Sequence, residues 1–487
     1  MDPVIERINT SFKRVKAIRY TQSLMGWDLE TYMPPMGAEA RGAVAAELSA
    51  MEQEAILSLG SLLDRAVERK DLTDVERGIV RVVGRELKFY RAIPQEVLKE
   101  LSAVTSKASV VWREARKEAD FSKFRPYLER IVDLEKTIAE KLGYSKHPYD
   151  ALLDIYEEGL TVKDVDRIYS ELLPASKQVL DKVRAEEKFP ASHPLEEVKY
   201  EEGSMREVNE HLINLLGMPK EKFRIDVSAH PFTVGLSTGD VRITTRYEGR
   251  DFRSTMFSVI HECGHAIYEL QLNSELEFTP VGGAASYSIH ESQSRFWENV
   301  VGRSQEFTSL IYPYLRSKLQ FLSGYDREEI YKYFNLVRPS LIRVDADEIT
   351  YNFHTAIRYE IEKKLIAGDM DAQEIPAAWE ELTEKYLGLR PRNDAEGALQ
   401  DVHWSGGSFG YFPTYTLGNV IAATLGYKVP HLYERVMEGN FGPLKEFLKE
   451  KIHRWGSIYS PKELLRKALG VEYEPEYLVR YLQEKYL

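Results

Sequence analysis

The chain has 487 residues, 43% of them hydrophobic, with 77 acidic against 65 basic side chains and a net charge of −12. That length and apolar content suffice for a large core, and the acidic balance argues against nucleic acid or an anionic membrane as a partner. One cysteine, Cys263, excludes an intrachain disulfide and fits a reducing compartment. The first twenty residues have neither a continuous apolar stretch nor a small-residue cleavage site, and no apolar run reaches membrane-spanning length. A cytoplasmic protein without a membrane partner is expected.

Over the first 190 residues apolar side chains recur every three or four positions among Glu, Lys, Arg, Leu and Ala. This predicts helices near 4–26, 38–58, 72–90, 94–117, 121–142 and 162–187. Between Phe223 and Tyr247 the period changes to two. Phe223, Ile225 and Val227 alternate with polar residues, and Val241, Ile243, Thr245 and Tyr247 do so again after the glycine-rich turn 235–239, which predicts a hairpin. Ser254 then suits the cap of a helix over 255–272. Met256, Phe257, Val259, Ile260, Cys263, Ile267 and Leu270 spread around its circumference, so this helix should be buried. Helices follow near 284–301, 304–323, 327–336, 347–367, 376–388 and 474–485. No clean domain boundary follows the hairpin. The expected fold class is mainly α, one catalytic unit over 1–487 with a small β-sheet, compatible with two lobes around a groove.

Within the buried helix stands His261-Glu262-Cys263-Gly264-His265. Histidines at i and i+4 lie one turn apart on one helix face and can grip one metal ion, with the intervening glutamate placed to polarise water. Two imidazoles and a carboxylate inside a buried helix need partners, and a metal supplies them. Cys263 reads as a small packing residue. Zinc hydrolases usually take a third protein ligand. A third histidine at the short spacing would fall at Gln271, which excludes that arrangement. Glu269, Glu275, Glu277, Glu291 and Glu298 are the downstream carboxylates. Glu291 is favoured by spacing, since a helix following Gly282-Gly283 can return antiparallel past the first. Amide hydrolysis with Glu262 as general base is the default chemistry for such a site.

Six separated strings resemble the carboxypeptidase Taq family of metallocarboxypeptidases: His230-Pro231-Phe232, Asp240-Val241-Arg242-Ile243-Thr244, the motif at 261–265, His290-Glu291-Ser292-Gln293, Ile342-Arg343-Val344-Asp345-Ala346-Asp347, and Gly397-Ala398-Leu399-Gln400-Asp401-Val402-His403-Trp404. They occur in the family's order. The resemblance implies His261, His265 and Glu291 as metal ligands and Glu262 as base. It also implies a helical fold with a deep groove, similar to neurolysin, a homodimer, zinc as the metal with cobalt as a substitute, and removal of single C-terminal residues with broad specificity.

An exopeptidase must grip a free carboxylate, and arginine's planar fork does so bidentately. Arg343 is the first candidate, against the alternative that it pairs with Asp345 and Asp347. Arg242 faces either the groove or solvent. His230 ahead of the hairpin turn and His403 near Asp401 are candidate donors to the substrate. Tyr411, and behind it Tyr415, lie in a glycine-rich segment suited to an oxyanion donor. A zinc endo-oligopeptidase using the same site is the competing enzyme class. A non-catalytic scaffold with a structural zinc is disfavoured, because closed structural sites are usually rich in thiolates.

Overall fold

The period-3.6 segments fold as helices with few exceptions. In the computed structural model, which describes residues 1–487, helices Pro3–Thr31, Ala38–Leu57, Asp74–Ala92, Gln95–Glu118, Phe121–Leu142 and Val162–Glu186 match the first six expected. Gln305–Lys318, Arg327–Phe334, Tyr351–Ala367, Ile375–Leu387 and Pro475–Tyr486 match later ones. The segment expected at 284–301 divides into an α-helix, Tyr287–Arg295, and a π-helical stretch, Phe296–Gly302. Helices Gly60–Val67, Pro148–Tyr156, Glu202–Leu215, Pro413–Lys428 and three short ones between Leu432 and Leu469 were not foreseen. Several of these open on a proline or carry an internal glycine, which blurs the pattern. No helix is long and apolar enough to cross a membrane.

The sheet departs from the expected hairpin. It has three strands, β1 Phe223–Val227, β2 Thr233–Ser237 and β3 Asp240–Thr245, in the order β1-β3-β2. β1 runs parallel to β3, pairing Ile225 with Ile243, whereas β2 forms the antiparallel hairpin with β3 and pairs Thr233 with Ile243. The period-two pattern matches β1 and β3 but not β2, whose last three residues, Gly235–Ser237, fall within the expected turn. Val241 and Ile243 are fully buried.

The chain divides into two compact units. One comprises Met1–Tyr90, His193–Phe334 and Ile421–Glu472, and the other Arg91–Ser192, Asn335–Val420 and Tyr473–Leu487. The first contains the sheet and helix Phe252–Gln271. Met256, Val259, Ile260, Cys263 and Ala266 of this helix are wholly buried, as its all-round apolar pattern requires. It starts three residues earlier than expected. Asp251, in the left-handed region at φ 46, precedes it, and Ser254 lies inside the first turn rather than capping it. Asp251 accepts from the Tyr333 hydroxyl at 2.5 Å and from Arg253 at 3.1 Å, contacts that hold the strained residue. In the second unit, helices Gln95–Glu118 and Phe121–Leu142 pair, and Tyr351–Ala367 is buried along most of its length.

Helix Phe252–Gln271 packs directly on helix Tyr287–Arg295. Gly264 makes this approach possible: a Cβ there would stand 2.7 Å from the carbonyl oxygen of Gln293 and 2.7 Å from Cα of Ser294. Both are backbone atoms that cannot swing aside. Gly264→Ala is therefore expected to destabilise the fold by about 1–3 kcal/mol, the usual cost of overpacking. Denaturant midpoints measure this, and an unchanged midpoint would show that the helices separate freely.

Candidate active site

The close approach brings the next helix's carboxylate to the motif's histidines. Nε2 of His261 lies 3.7 Å and Nε2 of His265 3.4 Å from Oε2 of Glu291. One ligand atom from each of the three residues lies within 4.8 Å of the others. Two ligands held ~2.0–2.1 Å from a tetrahedral ion stand roughly 3.3 Å apart, so these separations suit one shared cation. The other nitrogens are engaged elsewhere. His261 Nδ1 meets Oε2 of Glu298 at 2.8 Å, and His265 Nδ1 meets Nδ1 of His290 at 2.6 Å. Glu291 is braced at Oε1 by Arg295 Nε, 2.7 Å away, and at Oε2 by the Ser294 hydroxyl at 3.1 Å.

Burial and neighbouring charges act in opposite directions on these groups. Burial opposes ionisation of Glu291, but Arg295 and the two histidines outweigh it and hold the carboxyl well below its ordinary range. Burial, reinforced by His290, lowers His265 to about 4, leaving a neutral imidazole. Burial also disfavours charging His261, yet Glu291 and Glu298 overcome this and raise it. Glu298 is likewise held low against burial by His261, Arg295 and Arg303. Three buried carboxylates, Glu262, Glu291 and Glu298, thus face two guanidiniums. Such a cluster calls for a further cation, and the N,N,O donor set fits a divalent transition metal.

Glu262 is buried beside these ligands. Burial raises its carboxyl, opposed by His261 and by a hydrogen bond from Thr233. The Thr233 hydroxyl, at the start of β2, donates to Oε2 at 2.6 Å and lies 3.1 Å from the Glu262 carbonyl. Sequence reasoning missed Thr233, because nothing local announces a contact 29 residues away. The Glu291–Arg295–Glu298 array did carry a signal, the i, i+4, i+7 spacing of opposite charges on one helix face. Among the other candidate ligands, Glu277 accepts from the Thr238 backbone N–H at 2.6 Å and Glu275 is exposed. Cys263 is fully buried and burial raises its thiol, consistent with packing.

In the same unit, Arg242 donates to both oxygens of Asp240 at 2.7 and 2.8 Å and stacks 4.6 Å over Trp27, so it is not an ordinary solvated strand charge. His230 is exposed, and its carbonyl accepts from Ser228. The remaining candidates belong to the second unit and cluster there. Arg343 pairs neither with Asp345 nor with Asp347. Its Nε and Nη2 grip Asp401 at 2.8–3.3 Å, and its Nη1 donates to the Tyr351 hydroxyl at 2.8 Å. Asp347 instead accepts the backbone N–H groups of Arg338, Ile349 and Thr350. Asp401 also receives Arg358 at 2.7 Å through Nε. His403 lies 3.3 Å from the Tyr415 hydroxyl. Burial and the two arginines outweigh Asp401 and lower it to about 4. The Tyr411 ring packs edge-on against Tyr156 and Tyr415.

The sequence profile of the Carboxypeptidase Taq (M32) metallopeptidase family matches residues 7–486. The chain belongs to this family. As an M32 chain it is similar to thermostable carboxypeptidase 1 of Pyrococcus furiosus, 48% identical over 99% of this chain and 98% of that protein. It is also similar to carboxypeptidase 1 of Bacillus subtilis, 38% identical over 97% and 96%. The solved structure of the P. furiosus carboxypeptidase superposes with a TM-score of 0.98, covering 100% of this chain and 99% of that one at 48% identity. The mainly helical fold and the peptide-hydrolase class expected from the sequence are thereby borne out.

Thr233→Val removes a hydrogen bond to a carboxylate, worth about 1.5–3 kcal/mol. A fall in kcat on the order of tenfold or more is expected with KM nearly unchanged, and Thr233→Ser should restore it. Steady-state kinetics on a peptide substrate decide, and an unaltered kcat in the valine variant would refute the assignment.

Proposed function

We propose that this M32 metallopeptidase removes single residues from peptide C-termini with broad specificity, using zinc and Glu262 as general base. The observation that carries the reading is the convergence of ligand atoms from His261, His265 and Glu291 within 4.8 Å, beside a buried carboxylate. Two imidazoles and one carboxylate are a hydrolytic zinc set that leaves a fourth position open, and cobalt is the expected substitute. His261, His265 and Glu291 would hold the ion, which would supply water activation and polarisation of the scissile carbonyl. Glu262 takes the proton of the attacking water and returns it to the leaving amide nitrogen. Thr233 holds one oxygen of that carboxylate and leaves the other for the proton.

The free C-terminal carboxylate is assigned to Arg343, with Arg242 as the alternative. Asp401 holds Arg343 through Nε and Nη2 and the Tyr351 hydroxyl accepts from Nη1, which orients a guanidinium whose planar fork suits a carboxylate. His230, His403 and Tyr411 are assigned as donors to the substrate, and β2, one of the two edge strands, is assigned to offer backbone groups to an extended peptide. Residues 1–487 are read as one catalytic unit, because each compact unit is assembled from three separated stretches of chain. A homodimer follows from the family resemblance and is tested by light scattering. A cytoplasmic location accords with the one buried, unpaired cysteine.

The test is a peptide ladder read by mass spectrometry. Stepwise loss from a free C-terminus is expected, with the C-terminally amidated peptide spared. One internal cut made equally in both peptides would establish an endo-oligopeptidase instead. Glu262→Gln should lower kcat about 10²–10⁴-fold while zinc remains bound one per chain, and a fully active variant would remove Glu262 as the base.

A further inference from the structure

Glu269 lies on the same helix face as the two motif histidines, at i+4 from His265 and i+8 from His261. One helix rarely bends enough to supply three ligands to one metal. The structure gives Glu269 another partner. Its Oε1 lies 2.7 Å from Nε2 of His290, and Nδ1 of His290 lies 2.6 Å from Nδ1 of His265. His290 is the residue before Glu291 in its helix, yet it faces the motif helix as Glu291 does.

The proton positions in this chain follow from elementary bonding. An ionised carboxylate only accepts, so Nε2 of His290 carries the hydrogen. With Nε2 of His290 donating, its Nδ1 is the acceptor for the N–H on Nδ1 of His265. That leaves the lone pair of His265 on Nε2, the nitrogen 3.4 Å from Oε2 of Glu291. Two further features fit a built arrangement. A Cβ on Gly235 in β2 would collide with the Glu269 carboxylate, so the sheet leaves room for this side chain. The Tyr268 ring packs against His290 at 5.3 Å between centroids.

We propose that Glu269 and His290 form a positioning relay that fixes the tautomer and orientation of His265 for metal binding. The inference rests on the reading of His265 as a metal ligand. It makes the two motif histidines unequal. His261 is held directly by Glu298, whose charge is met by Arg295 and Arg303. His265 is held through the ring of His290, with the Glu269 carboxylate one ring further away.

The test measures zinc affinity of the apoprotein by competition with a chromophoric chelator, together with the visible spectrum of the cobalt form and the unfolding midpoint of the apoprotein. Loss of a partner behind a metal-bound histidine typically weakens binding 10–100-fold. His290→Phe is expected to lose zinc affinity in that range and to alter the cobalt spectrum, with the apo midpoint unchanged. Glu269→Leu should weaken zinc at least threefold. Glu269→Gln, whose amide oxygen accepts the same bond, should restore it. Wild-type protein that binds no zinc would overturn the metal site itself. Wild type that binds tightly, with both His290→Phe and Glu269→Leu within twofold of it and an unaltered cobalt spectrum, would overturn the relay alone. If His290→Phe does not fold, Glu269→Leu decides: affinity within twofold of wild type refutes the proposal.

Discussion

The contact between Gly264 and the backbone at Gln293 and Ser294 governs the geometry of the candidate site. A ligand set drawn from two helices needs their axes closer than ordinary side chains permit. The glycine between Cys263 and His265 removes the one Cβ that would hold them apart. Glu291 then reaches both histidines, and Arg295 and Glu298 follow on the same face of the returning helix. On the opposite flank β2 brings Thr233 to Glu262. The two variable positions of the motif therefore have separate physical jobs: Cys263 fills the space behind the helix and Gly264 admits its neighbour.

Closeness alone would be costly, because it gathers carboxylates in a dry interior. The chain compensates with charge of opposite sign held rigidly. Arg303 stacks 4.0 Å over Phe257, donates to the Phe334 carbonyl at 2.6 Å and to Glu298 at 3.0 Å. Arg295 spans Glu291 and Glu298. These guanidiniums keep both glutamates ionised without occupying the Glu291 oxygen that faces the histidines. A cation held by His261, His265 and Glu291 would complete the neutralisation.

Local pattern carried the helices and the motif, because period and spacing are properties of neighbours along the chain. Most expected helix limits fall within a few residues of those observed, and Glu291 follows from the need for a carboxylate on a returning helix. What stayed hidden depends on distant partners. β2 has little alternation of its own and is a strand because β3 lies beside it. Asp251 starts its helix where Ser254 was expected to, because Tyr333, 82 residues on, anchors it. Glu269 shares a helix face with the motif's histidines, and its partner His290 is 21 residues away across a turn.

Arg343 shows why a candidate substrate contact resists such reading more than the metal motif does. Two aspartates follow it within four positions, and sequence proximity made them its natural partners. The side chain instead pairs with Asp401, 58 residues distant, which a second buried arginine, Arg358, also contacts. An arginine free to move would lose side-chain entropy on gripping a substrate carboxylate. One fixed by Asp401 and Tyr351 has already lost it, and its buried charge is already compensated. The same contacts that make Arg343 look structural are thus those a preorganised carboxylate receptor requires.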